Sequence, residues 1–182
     1  MGGSAPAGQH PRRMVRLYRR TRSGLAYWEA WRDGAGQLIV HHGRAGERGH
    51  AEHLPAGPCR AGERLAALVA RQRRRGYREL EHCEMRLVLV QWETGSRALL
   101  RSAQAWVDET LSWTGLGAYV GYEHSRALTI MGESVHAGLA VRVLAAGLPG
   151  SGLPADAVIA VCAGEDLIAW PPARVGEPLD TP

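Results

Sequence analysis

The sequence predicts an α+β chain of two domains, and three observations predict it. Short β-branched and aromatic runs with period-two patterning occur before residue 55 and again between 85 and 132. Three segments repeat apolar residues at helical spacing. The charge also changes sign along the chain. Residues 1–82 hold 16 Arg against 7 Asp and Glu, a balance of +9; residues 83–182 hold 6 against 11, a balance of −5, within a total of +4. Such asymmetry argues for two domains and for a polyanionic partner of the first. The expected organisation is a lead-in over 1–13, a basic domain over 14–82, an acidic domain over 83–172 and a loose tail over 173–182.

The first strand is expected over 14–20, MVRLYRR, where Val15, Leu17 and Arg19 alternate with Arg16, Tyr18 and Arg20. A second covers LAYWEAWR at 25–32 and ends at the turn signal Asp33-Gly34. There Trp28 and Trp31 fall on opposite faces, and at least one belongs to the core. The β-branched run 37–42, QLIVHH, is the third, broken by the glycine-rich stretch that follows, and a short fourth is expected near 50–54. A helix then places Leu65, Leu68, Val69 and Gln72 on one face. Gly76 is the expected C-terminal cap, after arginines that complement the helix dipole.

In the acidic half, 85–92 reads as a strand and 97–113 as an amphipathic helix. Strands are expected over 118–124 and 127–132, and a helix over 135–146 capped by Ser134. A buried strand over 157–163 and a short fifth near Leu167 complete the half. The order β-α-β-β-α-β is that of the ferredoxin-like split βαβ unit.

The run VHHGRAGERGHAEH, residues 40–53, carries the candidate chemistry. Gly43, Gly46 and Gly49 recur every third residue among Arg44, Arg48 and four histidines. His41, His42, His50, His53 and Cys59 supply zinc-type atoms, but at no established ligand spacing, and neighbouring strand residues point to opposite faces. Strand histidines are expected to be exposed. No metal and no cofactor is expected. GRAGERG does not open a helix after a strand and no GK[ST] follows, so it is neither a Rossmann fingerprint nor a P-loop. A turn or bulge that brings backbone and arginines to a ligand is the remaining reading.

Here residues 15–80 resemble a WGR domain, named for its Trp-Gly-Arg motif. The family's run is a strand ending in W-G-R, then x-G-x-x-G-Q, a further strand, and a helix closing in Gly-Tyr. This chain has His42-Gly43-Arg44, Gly46, Gly49-His50 and Gly76-Tyr77, with His42 in the place of the Trp and His50 in the place of the Gln. Family members occur in DNA-dependent poly(ADP-ribose) polymerases and in many bacterial proteins, where the domain engages DNA ends or breaks. The motif Trp packs on the terminus and the motif Arg contacts the backbone. The resemblance implies that His42 stacks and Arg44 contacts phosphate. Arg48, Arg64, Arg71, Arg74 and Arg75 are candidates to widen the contact.

No transferase domain is expected within residues 83–182. His124, His136, Glu123, Glu133 and the Asp108-Glu109 pair, expected on a solvated helix face, make no catalytic constellation, so no enzyme is expected. The expected function is a nucleic-acid-binding module, for DNA ends or backbone, with a C-terminal interaction or regulatory domain. The alternative is a protein-interaction adaptor whose first half no longer binds DNA. Cys59, Cys83 and Cys162 form no CxxC, and reduced thiols are expected. No apolar run approaches the length of a membrane span, and MGGSAPAGQHPRR lacks the apolar core of a signal peptide. A cytoplasmic protein is expected.

Overall fold

The computed structural model describes residues 14–55, 61–93, 95–163 and 166–169; the expected lead-in, the tail and Cys59 lie outside them. The fold is α+β. Contacts divide the chain into two compact units, Met1–Met85 with Leu111–Gly117, and Arg86–Thr110 with Ala118–Pro182. The division is thus not a single cut: seven residues from the middle of the acidic half, Leu111–Gly117, fold with the basic one.

In the first unit, β1 (Val15–Thr21), β2 (Gly24–Arg32), β3 (Leu38–Arg44) and β4 (His50–Leu54) form an antiparallel sheet in sequence order. The β2–β3 turn is built by Asp33, whose carboxylate accepts from the Ala35 and Gln37 N–H groups at 3.0 and 2.8 Å. The third strand does not break at His42 as expected. It continues through Gly43 and Arg44, which pair with Tyr27 and Ala26.

Helix α1 (Ala61–Arg74) covers one face of this sheet. Leu65, Leu68 and Val69 pack on Leu17, Trp28, Ala30 and Val40, and Gln72 is buried beside them, the four helix residues that share a face by spacing. Gly76 ends the helix at φ +85, a left-handed conformation that costs glycine little. Its N–H bonds the Arg73 carbonyl at 3.0 Å and the Tyr77 N–H bonds that of Gln72 at 3.1 Å, the paired closure of a Schellman motif. The chain then returns to the free edge of β1, where Tyr18 and Arg78 exchange backbone hydrogen bonds of 2.7 and 2.9 Å.

The opposite face of the sheet is buried as well, and it is polar. Arg16 and Glu29 form an ion pair there, and the His41 Nδ1 lies 3.1 Å from the Glu29 Oε2. The Tyr27 hydroxyl meets the His41 Nε2 at 3.0 Å and the Trp113 carbonyl at 3.4 Å. The expectation of exposed strand histidines therefore fails at His41, which is 1% exposed, because its carboxylate and phenol partners replace water. Burial by itself lowers the affinity of Arg16 for its proton; the charges of Glu29 and Tyr18 beside it and its hydrogen bonds to both together outweigh that and hold the guanidinium charged.

The second unit orders β5 (Arg86–Trp92), β6 (Gly117–His124), β7 (Leu128–Ser134), β8 (Val158–Ala163) and β9 (Asp166–Ala169) as β6-β7-β5-β8-β9. Central β5 runs antiparallel to both β7 and β8, so α2 (Arg97–Trp113) and α3 (Ala137–Gly147) each connect strands that are not neighbours. Val88, Val90 and Trp92 alternate inward from β5, and Ile130, Ala140, Val141 and Leu144 are buried too.

Two local expectations are corrected in this unit. Helix α3 starts at Ala137, not at residue 135, because His136 is its cap: the His136 Nδ1 accepts from the Leu139 N–H at 3.2 Å, while Ser134 accepts from the His136 N–H one step earlier. Asp108 is not on a solvated face, since its carboxylate accepts from the Tyr119 N–H at 3.2 Å. No helix among the described residues is long and apolar enough to cross a membrane.

Two outcomes are expected. Trp28→Ala removes the largest side chain beneath α1 and should cost about 3–5 kcal/mol in urea denaturation. Burial first, and then the Glu29 charge, lift the Tyr18 phenol to about 12 against the opposing pull of Arg16, and burial raises Tyr27 as well. Unfolded phenols ionise near ~10, so between about pH 10 and 12 the folded chain holds protons that the unfolded chain has lost. This stability is fully present below pH ~10 and is lost as pH rises. Phenolate absorbance should therefore rise in step with loss of circular dichroism in alkali; full tyrosine ionisation in a still-folded chain would contradict the buried face.

Candidate nucleic-acid interface

The glycine spacing of residues 43–49 has a packing cause. A Cβ on Gly49 would stand 1.8 Å from the Tyr27 hydroxyl and 2.6 Å from the His41 Nε2. One on Gly43 would stand 3.0 Å from the Gly49 Cα and 3.2 Å from the Tyr27 ring. Gly115, at φ +61, meets the other part of that ring, with a Cβ position 2.1 Å from Cδ1. Gly46, at φ +93, makes the turn itself. The Gly46 and Gly49 N–H groups bond the Thr114 and Trp113 carbonyls at 2.9 and 3.1 Å. The backbone of this stretch thus closes on a buried tyrosine and on residues 113–114, where the sequence suggested closure on a ligand.

The arginines of the stretch sit apart from one another. Arg44 is exposed at the end of β3, with its Nη1 3.3 Å from the Glu47 Oε1. Arg48 lies over the Trp113 ring at 5.5 Å from the centroid. Arg64, at the start of α1, donates to the Pro55 carbonyl at 2.5 Å.

On the α1 side of the sheet, other candidates converge. His42, Gly43, Arg71 and Arg75 line a groove of about 300 Å³, joined there by Arg19 and Glu52. Its floor is Trp28, Val40 and Gln72, with Tyr77 at one wall. Strand alternation places His42 here: it pairs with Trp28 across β2 and shares that face, while His41 points to the other. Arg71 lies in the last turn of α1, and Arg75, four residues on, follows the end of the helix directly. Among the described residues neither is ion-paired. The Arg19 guanidinium lies 4.8 Å from the Tyr77 ring centroid and donates to the Arg75 carbonyl at 3.1 Å, which fixes its place at the rim.

His42 is half exposed. Its Nε2 lies 3.4 Å from the Glu52 Oε1, and its ring stands 6.0 Å from that of His50, edge to face. Three arginines and one glutamate therefore line the same space. Arg19 and Glu52 were absent from the sequence-based candidates. Arg19 shared the alternation of Leu17, a legible signal; Glu52 needed the β3–β4 register, which sets it opposite Val40.

Elsewhere both candidate histidines of the second unit make structural contacts. His136 caps α3, and His124 contacts the Gly95 carbonyl at 3.1 Å. A depression in the second unit is lined by Glu93, Arg126 and Asp156, with neither histidine nor Glu133 in its wall. Among the described residues no group of three or more His, Cys, Asp or Glu is placed to hold a metal.

Gly49→Ala should lower stability by about 1–3 kcal/mol or more, the cost of overpacking against Tyr27. Gly62→Ala, in the first turn of α1 with open space around it, should leave stability unchanged or raise it by up to about 1 kcal/mol. Equal urea midpoints for the two variants would refute the packing account of the glycines. Compared with known proteins, this chain matches no family model, no curated protein and no solved structure.

Proposed function

We propose that the first unit is a nucleic-acid-binding module of the WGR type that holds sugar–phosphate backbone, at a DNA end or nick, without reading base sequence. The observation that carries this reading is the convergence of Arg19, Arg71 and Arg75 with His42 on one groove. Guanidinium forks match phosphate oxygens two at a time and stay charged at any physiological pH. Contacts of this kind fix position and orientation on a strand and carry no sequence information. His42 occupies the place of the motif Trp, and its half-exposed ring is open to a sugar or base on one side. Arg44, two residues further along β3 and exposed, extends the basic surface beyond the groove.

The second unit serves as the interaction or regulatory part. Val120 and Tyr122 are about half exposed on β6, which is an edge strand, and an apolar edge of this kind favours pairing with a protein segment. A cytoplasmic setting fits this pairing of roles.

The test is binding of a blunt-ended DNA duplex against salt, read by fluorescence anisotropy. The logarithm of affinity should fall linearly with that of salt, with a slope near −0.9 per phosphate neutralised. Arg71→Ala, Arg75→Ala and Arg44→Ala should each weaken binding and reduce the slope by roughly 1. Arg126→Ala in the second unit should change neither. Absence of binding at low salt would sink the proposal and favour an adaptor that contacts protein alone.

A further inference from the structure

We infer that Glu52 is the specificity-determining residue of the groove: it accepts a hydrogen bond from a sugar hydroxyl lying next to the phosphate that the arginines hold. The inference rests on the nucleic-acid reading above and narrows its ligand. Glu52 is the one carboxylate among the described residues that line the groove. The register of β4 opposite β3 turns it to the same face as Val40 and His42. A groove meant for bare phosphate would be weakened by a negative charge at this place. The interior of a DNA strand offers its backbone partners acceptors only, so Glu52 has nothing there to bind.

The carboxylate is also not consumed within the fold. Its side chain is 49% exposed, and its contact with the His42 Nε2, at 3.4 Å, is long. An ionised carboxylate has about four acceptor positions, so most of its capacity is unused within the fold. The imidazole lies beside the carboxylate, whose remaining lone pairs are available to a donor. A sugar hydroxyl is the donor that comes attached to a phosphate, and carboxylates bind ribose hydroxyls in dinucleotide sites by the same chemistry. The volume of about 300 Å³ suits one nucleotide unit more than a length of duplex. The ligand is thus a phosphorylated sugar with a free hydroxyl. A ribose 2′-hydroxyl in RNA and the 3′-terminal hydroxyl of a DNA strand are its two sources.

The experiment uses the full chain and three 5′-phosphorylated single strands of one sequence, read by anisotropy at one salt concentration. They are DNA with a 3′-hydroxyl, the same DNA ending in a dideoxynucleotide, and RNA ending in a 3′-deoxynucleotide. At least one hydroxyl-bearing strand should bind roughly tenfold tighter than the dideoxy DNA, the worth of a hydrogen bond to a charged acceptor. The RNA arm identifies the ribose and the 3′-hydroxyl DNA arm the strand end. Glu52→Ala should abolish the preference, and Glu52→Gln, which keeps an acceptor without the charge, should retain part of it. If both variants tighten all three strands alike and leave their ratio unchanged, Glu52 is only a repulsive charge and the inference is overturned. It is overturned too if the wild type binds all three equally. If these strands fail to bind while the blunt duplex still does, this inference falls and the nucleic-acid reading stands; if the duplex fails as well, both fall.

Discussion

The first unit depends on one buried contact system, the Tyr27 ring and hydroxyl set between His41 and three glycines. Tyr27 is fully buried on a face where Arg16 and Glu29 also lie, so the site holds charge in a low-dielectric place. Charges there are tolerated only when paired, and removing one partner of such a pair typically costs about 3–5 kcal/mol. The pairing is continuous: Arg16 to Glu29, Glu29 to His41, His41 to Tyr27, and Tyr27 to the Trp113 carbonyl. The Tyr27 side chain then leaves no room for side chains at 49 and 115 and crowds one at 43. A tyrosine in this position dictates glycines around it, and those glycines dictate the course of the β3–β4 connection.

The groove on the other face follows from the same constraint. Side chains on a strand alternate, so holding His41 inward against Glu29 and Tyr27 compels His42 to face α1. The β3–β4 ladder extends that choice to His50 and Glu52. The Schellman closure at Gly76 turns the chain back towards the β1 edge, which sets Tyr77 beneath Arg19 and the Arg75 carbonyl within reach of the Arg19 guanidinium. Packing on one side of a four-stranded sheet thus composes a polar groove on the other, from residues distant in sequence.

This division explains what was legible beforehand. Periodicity revealed the strands, and the Leu65–Gln72 face and Gly76 cap were readable because local spacing decides them. The glycine run was visible, but its cause was not, since it depends on a tyrosine 16 residues earlier than Gly43 and a glycine far later in the chain. Whether a strand histidine is buried depends on partners across the sheet, so His41 and His42, adjacent and alike in sequence, part company only in three dimensions. Asp108 and His136 misled for a related reason: each bonds a backbone N–H whose location depends on tertiary or cap geometry. Of the candidate site residues, His42, Gly43, Arg71 and Arg75 come together, whereas Arg44, Arg48 and Arg64 each have a local contact elsewhere.

The charge of the basic half therefore needs reading by placement more than by total. Arg16 is buried against Glu29; Arg44 faces Glu47; Arg73 faces Glu79 at 2.7 Å; and Arg78 makes a two-pronged contact with Glu84, both bonds 2.6 Å. Those bonds from Arg78 hold the Glu84 carboxyl down at about 2, so that pair stays ionised across physiological pH and is engaged with itself. Long-range attraction of a polyanion draws on the whole +9, because distant charges add to the field within a screening length. Short-range grip draws only on guanidinium groups with donors to spare, and Arg19, Arg71 and Arg75 are the ones the fold gathers around a single space. A net charge of this size is common among soluble basic faces; a half-exposed histidine and an acceptor carboxylate set among three unneutralised arginines is a more selective arrangement, and it is the arrangement on which a ligand of defined chemistry can act.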